Sequence, residues 1–316
     1  MNTAPTDGIV IDAFELRRLV EQIFVAVPIP EEHADVIAQM LVDTDLRGVV
    51  SHGVTSVERY VRVFQERTTN PNPKIKLLAE GPATAALSGA GGLGIIVAIE
   101  AMKMAIEKAR VSGVGVVTTT YHDHIGSAGK YVRMALRQHL IGVTFSGRSS
   151  APSYATDASP QASIQGSPPL AFGTPSKSNQ PDFLLDFSSR LIWDEDVFAK
   201  YPELYFRGLG LGHIANLLSG TLGGQMLPEF DRDQIEYPRA DQSGFFMALN
   251  IDQFVPLQAF EEDVSKLMGA VAQMEPYPGL ERADLPGGPE WRKEQSYRTK
   301  GVPISGDTMS SLTRLA

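Results

Sequence analysis

The chain contains no cysteine. That excludes disulfides, thiolate metal sites and a cysteine nucleophile, and it is the usage expected in a reducing cytoplasm. No run approaches the ~18 apolar residues needed to cross a bilayer. Residues Met1 to Gly8 are polar and lack a basic segment leading into an apolar core, so no signal peptide is expected and the expected location is cytoplasmic. Basic clusters are missing too. Lys and Arg total 28 against 37 Asp and Glu, a net charge of -9, which argues against a nucleic-acid partner. There is no internal repeat. What is present is 316 residues with 43% hydrophobic content, enough for one large or two ordinary domains with a core that needs no staple.

Periodicity sorts the chain into regions. Asp12 can cap a helix through Phe14, Leu16, Leu19, Val20 and Phe24. Pro30 with Glu31 and Glu32 opens a second helix, and a third begins after Ser51. Residues 1–72 therefore read as a mostly helical region, with the 276–316 tail expected to pack near it. In 73–275 strand and helix patterns alternate: strands at Lys74–Glu80, Ala83–Ser88, Val114–Thr119, Leu140–Ser146, Phe183–Phe187 and Phe245–Ile251, and helices at Gly94–Arg110, Ile125–Arg137, Gly208–Gly220 and Leu257–Met274. A short helix is expected near Glu290–Tyr297, and Ser149–Ser167 reads as an irregular loop. The class is α/β or α+β.

Gly89-Ala90-Gly91-Gly92-Leu93-Gly94 matches G-x-G-x-x-G between a strand and a helix. Such a run can cradle a pyrophosphate or serve only as a tight turn. The acidic residue that a dinucleotide fingerprint wants about 20 positions on is missing, because the next strand ends in threonines. His33 and His139 read as a solvated face and a loop residue, and His213 as a packed core histidine. His52, in Ser51-His52-Gly53-Val54, stands at a helix start. His122 and His124 flank Asp123 at a strand end, where ligand groups gather in α/β sheets. Their spacing admits metal binding, general acid/base work or a structural cap.

Six segments, in order along essentially the whole chain, resemble one family. They are Ser51-His52-Gly53-Val54 with Arg59-Tyr60-Val61; His124-Ile125-Gly126-Ser127-Ala128-Gly129-Lys130-Tyr131; Gly166 to Phe172; Leu185-Asp186-Phe187-Ser188-Ser189; Arg207-Gly208-Leu209-Gly210-Leu211 with Leu217-Leu218-Ser219-Gly220; and Leu285-Pro286-Gly287 with Gly301-Val302-Pro303-Ile304. The family is the malate/L-lactate dehydrogenase-like oxidoreductases, which include ureidoglycolate dehydrogenase, sulfolactate dehydrogenase, 2,3-diketogulonate reductase and cyclic-imine carboxylate reductases.

The resemblance implies a mixed-sheet, non-Rossmann α/β fold binding NAD or NADP, a homodimer, no metal, and hydride transfer at a carbonyl or imine next to a carboxylate. It makes the Gly89–Gly94 run a turn that does not hold the dinucleotide. It carries His52 and His124 over as the two active-site histidines: His124 for acid/base work, His52 for polarisation or proton relay. It carries Ser146, Asp186, Phe187, Ser188, Ser189, Phe206, Arg207, Pro286, Gly287 and Gly288 over as cofactor contacts. The chain also departs from the family. Ser56 stands where relatives carry a substrate-binding arginine, Ser146-Gly147-Arg148 replaces T-N-S, and the stretch from Arg190 to Tyr205 is shortened. Arg148 is the expected replacement anion anchor, with Arg59 and His122 as further substrate contacts; Arg59 lies seven residues after His52, two turns along a continuous helix. The departures leave room for a lyase, cyclase or isomerase on the same scaffold, or for a binding protein without activity. Phe24 and Val25 are expected to face a partner copy.

Overall fold

The computed structural model describes residues 5, 8–148, 164, 166–191, 195–227 and 236–316. The expected loop at Ser149–Ser167 falls mostly outside them. The described residues form a mixed α/β protein in two units: Met1–Asn72 with Ser176–Phe183 and Glu261–Ala316, and Pro73–Pro175 with Leu184–Phe260.

In the first unit, Asp12 caps α1 (Ala13–Val25), accepting from the N–H groups of Phe14 at 2.8 Å and Glu15 at 3.2 Å. The buried stripe of α1 is Leu16, Val20, Ile23 and Phe24, and α1 packs on α2 (Glu31–Leu46). Phe24 is fully buried within the chain. It therefore cannot face a partner, whereas Val25 remains about half exposed. The third helix does not start at Ser51. Two 3-10 turns, Val50–His52 and Val54–Ser56, precede α3 (Val57–Gln65). Strand β1 (Ile9–Ile11) pairs antiparallel with a strand near the other end of the sequence, Val302–Ile304, with Ile9 opposite Ile304.

The second unit is built on a seven-stranded mixed sheet. In chain order its strands are β2 (Lys76–Glu80), β3 (Thr84–Ser88), β4 (Val114–His122), β5 (Ile141–Gly147), β6 (Pro169–Thr174), β7 (Phe183–Ser188) and β8 (Gln242–Leu249); Val302–Ile304 is β9. The spatial order is β2-β3-β4-β8-β5-β6-β7. Strand β8 lies antiparallel to both β4 and β5, so the C-terminal ends of β4 and β5 flank the start of β8. Helices α4 (Gly94–Ser112) and α5 (Gly129–Leu136) pack on the sheet. Gly142 is needed where α5 crosses β5, since a Cβ there would press on Ala135 and Val132 at 3.0 Å. The other face carries Val143 and Phe145, which pack with Ala215, Leu211 and Leu218.

Those last three belong to α7 (Pro202–Asn216) and the π-helical turn Leu217–Thr221 that continues it. Helix α7 begins six residues before the expected Gly208, because Pro202 is pre-set for the first turn and Glu203 suits the positive end. A short helix, α6 (Glu195–Lys200), precedes it. The chain closes with α8 (Leu257–Val271), α9 (Gly288–Lys300) and α10 (Gly306–Leu315). No helix among the described residues is long and apolar enough to cross a membrane.

Candidate functional site

In the second unit the predicted residues gather at the ends of β4 and β5. Register shifts between Thr119 and His122 where β4 meets β8, and Tyr121 has φ 53. A non-glycine residue in the left-handed region is strained, and such strain concentrates at functional sites. Strand β4 ends at His122, so His124 lies beyond it and the two neighbouring histidines differ in setting. His122 is fully buried, with Nε2 2.8 Å from Thr119 Oγ1 and Nδ1 2.7 Å from the Asp123 carbonyl. Burial depresses its pKa to about 4, against smaller opposing effects of the Asp123 backbone bond and charge. With both nitrogens engaged inside the protein it offers none to a substrate or a metal, which corrects its assignment as a substrate contact.

His124 is only half buried. Its N–H donates to Asp123 Oδ1 at 2.6 Å, and its Nδ1 accepts from the Gly126 N–H at 3.2 Å. An N–H donor at Nδ1 fixes the neutral tautomer, with the proton on Nε2.

The Gly89–Gly94 run is consumed by this same turn. The N–H groups of Gly89 and Gly91 donate to the carbonyls of Thr120 at 2.8 Å and Tyr121 at 3.0 Å, and Gly92 returns the Asp123 N–H bond at 2.9 Å. All four glycines are buried. With those amides occupied there is no phosphate cradle here, in line with the family resemblance and against the fingerprint reading.

Charge gathers beside the histidines. Arg148 Nη2 reaches both oxygens of Asp241, at 2.9 and 2.7 Å, and Arg239 lies 3.8 Å from buried Asp123. Burial raises the pKa of Asp241 despite the opposing pull of Arg148; Asp123 pushes the same way as burial, and Arg239 opposes it. Arg148 uses Nη2 in this pair and is one-third exposed. Its backbone N–H donates to Asn216 Oδ1 at 3.1 Å, while Asn216 Nδ2 is buried with no partner among the described residues. A buried donor left without an acceptor invites a ligand explanation. In the sequence the only signal for Asn216 is a polar residue directly before Leu217-Leu218-Ser219-Gly220. Asp123 was read as merely separating the histidines.

The proposed cofactor positions vary in setting. Ser146 is buried and donates to the Ser243 carbonyl at 2.9 Å. Asp186 is exposed, and its Oδ2 accepts from the Gly129 N–H at 2.8 Å, capping α5. Phe187 and Ser188 are half buried, and Ser188 Oγ accepts from the Arg190 N–H at 3.3 Å. Ser189 is fully buried. Phe206 and Arg207 stand exposed on α7. His213, expected in the core, is half buried.

In the first unit the end of α2 organises the other candidates. Asp45 Oδ2 accepts the Val54 N–H at 2.6 Å, holding the turn that carries half-buried His52, whose Nδ1 lies 2.8 Å from Ser51 Oγ. Arg47 pairs with Glu294 at 3.1 Å and donates to the Gly287 carbonyl at 3.5 Å. Gly287, at φ 99, and Gly288 are buried at the N-terminus of α9, just after half-buried Pro286. Arg59 lies over the Tyr60 ring at 5.8 Å. The 3-10 turns between His52 and Arg59 break the expected continuous helix, so the seven-residue spacing does not place them on one helical face.

The family model for malate/L-lactate dehydrogenase matches residues 11–193 and 198–313. The chain is 30% identical to a malate dehydrogenase of Pyrococcus abyssi, covering 96% of this chain and 92% of that one. It is 29% identical to an L-sulfolactate dehydrogenase of Methanocaldococcus jannaschii, covering 95% and 94%. The solved structure of malate dehydrogenase from Pyrococcus horikoshii OT3 superposes with a TM-score of 0.84 at 27% identity, covering 100% of this chain and 97% of that one.

Proposed function

The chain belongs to the malate/L-lactate dehydrogenase family, and from that premise we propose that it reversibly reduces a 2-oxo acid, or a cyclic imino acid, with NADH or NADPH. An oxidoreductase of this kind needs a hydride donor, a polarised substrate oxygen or nitrogen, and a place for the carboxylate.

The residues present suit a nicotinamide dinucleotide. The orphaned Asn216 Nδ2 matches the carboxamide oxygen of a nicotinamide. The exposed Phe206 ring with its neighbour Arg207 offers a stacking surface and a cation for adenine and phosphate. The family resemblance carries Pro286, Gly287 and Gly288, and Asp186 to Ser189, over as further contacts. The bound cofactor supplies the hydride; the protein supplies orientation and electrostatics.

His124 carries the reading. The Gly126 bond puts the ring proton on Nε2, and Nε2–H donates to the substrate oxygen. A second proton, taken up at Nδ1 with loss of the Gly126 bond, would make the ring cationic and able to give its Nε2 proton to the substrate oxygen. Such transfer contributes typically 10²–10⁴-fold. The family resemblance carries His52 over as the second polar group, and Arg148 offers its remaining guanidinium N–H groups to the carboxylate.

The test is oxidation of NADH and NADPH against a panel of 2-oxo acids and cyclic imino acids. Turnover that falls at least ~10²-fold in His124→Ala, with cofactor affinity retained, is expected. Failure of the purified protein to bind either nucleotide would sink the proposal.

We also propose a homodimer. Ile214, Leu217 and Leu222 are each more than two-fifths exposed along α7 and its π turn, an apolar row suited to a second copy. Light scattering should give twice the chain mass, and Ile214→Asp should shift it toward the monomer.

A further inference from the structure

His122 touches no solvent, yet it sits two residues from the proposed catalytic histidine. A carbonyl only accepts hydrogen bonds. The 2.7 Å contact with the Asp123 carbonyl therefore puts the His122 proton on Nδ1, and Nε2 accepts from the Thr119 hydroxyl at 2.8 Å. The ring spans the irregular end of β4, from Thr119 before the register shift to Asp123, two residues after the left-handed Tyr121.

Each link passes to the next. His122 holds the Asp123 carbonyl, and the Asp123 carboxylate holds the His124 N–H at 2.6 Å. Gly126 then holds His124 Nδ1. From behind, two glycines of the Gly89–Gly94 run press on the same turn. A Cβ on Gly89 would lie 2.8 Å from that of His122, and one on Gly94 would overlap the Asp123 carbonyl oxygen. The run that mimics a phosphate loop is shaped to let this turn approach.

We propose that His122 is a positioning residue: bridging Thr119 and Asp123, and backed by Gly94, it aims His124 and keeps its Nε2 toward the substrate. The inference rests on the role given to His124 above. A misplacement of about 1 Å can cost ~10²-fold in rate, while ground-state binding by other groups is untouched.

Three variants divide the possibilities. His122→Leu removes both bonds. His122→Asn keeps a donor near the Nδ1 position. Gly94→Ala pushes on the Asp123 carbonyl with His122 intact. The readouts are kcat, KM, NADH affinity by fluorescence, and the imidazole ¹⁵N shifts of His124. For His122→Leu the expected results are a kcat lowered at least ~10-fold with KM and NADH affinity within about 2-fold, and His124 shifts that move from the Nε2–H pattern to tautomer averaging. Asn should restore most of the loss, and Gly94→Ala should reproduce it. Unchanged His124 shifts in both His122→Leu and Gly94→Ala would overturn the proposal. So would a loss of kcat shared equally by Leu and Asn and accompanied by lost NADH affinity, the mark of a merely structural role. If wild-type protein turns over no oxo or imino acid, the functional reading fails, and the ¹⁵N shifts still decide the positioning. Should His122→Leu not fold, Asn and Gly94→Ala carry the same decision.

Discussion

A Cβ on Gly53 would overlap the carboxylate of Asp45. The glycine of the Ser51-His52-Gly53-Val54 turn is thus required by a buried acid on α2, whose Oδ2 takes the Val54 N–H at 2.6 Å. Gly53→Ala should lower stability by ~1–3 kcal/mol through overpacking. Asp45→Ala should cost a similar ~1–3 kcal/mol, because it strands a buried N–H. Urea unfolding measures both, and a Gly53→Ala midpoint equal to wild type would show that the carboxylate yields freely.

The Arg47–Glu294 pair is buried at both ends, with side-chain exposures of 11% and 9%. Breaking it by Glu294→Ala should cost ~3–5 kcal/mol, since the guanidinium is left buried without its anion. Arg298, which also binds Glu294, is half exposed, so Arg298→Ala should cost ~1 kcal/mol or less. Equal losses for the two variants would contradict this ordering.

His122 makes stability pH-dependent. Its folded pKa of about 4 lies below the ordinary 6.5. Above pH 6.5 the ring is neutral in both states and contributes no pH dependence. As pH falls from about 6.5 to 4, the unfolded chain takes up a proton that the folded one refuses, and stability drops by up to roughly 3 kcal/mol. His122→Asn cannot titrate, so its denaturation midpoint should fall less over that window. Parallel curves for the two proteins would rule out His122 as the source.

Arg148 should matter for substrate more than for folding. It is one-third exposed, and its partner Asp241 is similarly open, so the pair itself stabilises little. Arg148→Ala should raise KM for a 2-oxo acid ~10-fold, the size of a lost charge-assisted hydrogen bond. A KM that does not move would leave the carboxylate to another cation.

Much of the fold was legible. Asp12 caps α1 as expected, and β4 is announced by its run of Val and Thr. The misses have local causes. Strands β1 and β9 are three residues each and pair only with one another, so neither carries a period. Pro169 disguised β6, although proline is tolerated at the first position of a strand. Three glycines in Gly208 to Gly212 drew the start of α7 inward from Pro202. Phe24 lies on the same stripe as Leu16, Val20 and Ile23; periodicity marks such a stripe but cannot say whether the chain's own helices cover it.

The site was legible in its residue types and less so in their roles. His122 and His124, at alternate positions of an extended chain, should share a face. Strand β4 ends at His122, so His124 lies outside the alternation; one ring is buried and the other half buried. No spacing rule reports the residue at which a strand stops.

The placement of β8 between β4 and β5 also sets an order of events during synthesis. Gly244 sits opposite both Thr119 and Ser146, so the strand ends bearing His122 and Arg148 have no bridge until residues 242–249 leave the ribosome. Until then β4 and β5 expose their long edges and their valines to any passing strand. A nascent chain halted just short of Gln242 should therefore aggregate or recruit a chaperone more readily than one halted just after Leu249. The latest strand of the sheet acts as the keystone, and its arrival is a kinetic checkpoint between a hazardous half-sheet and a closed one.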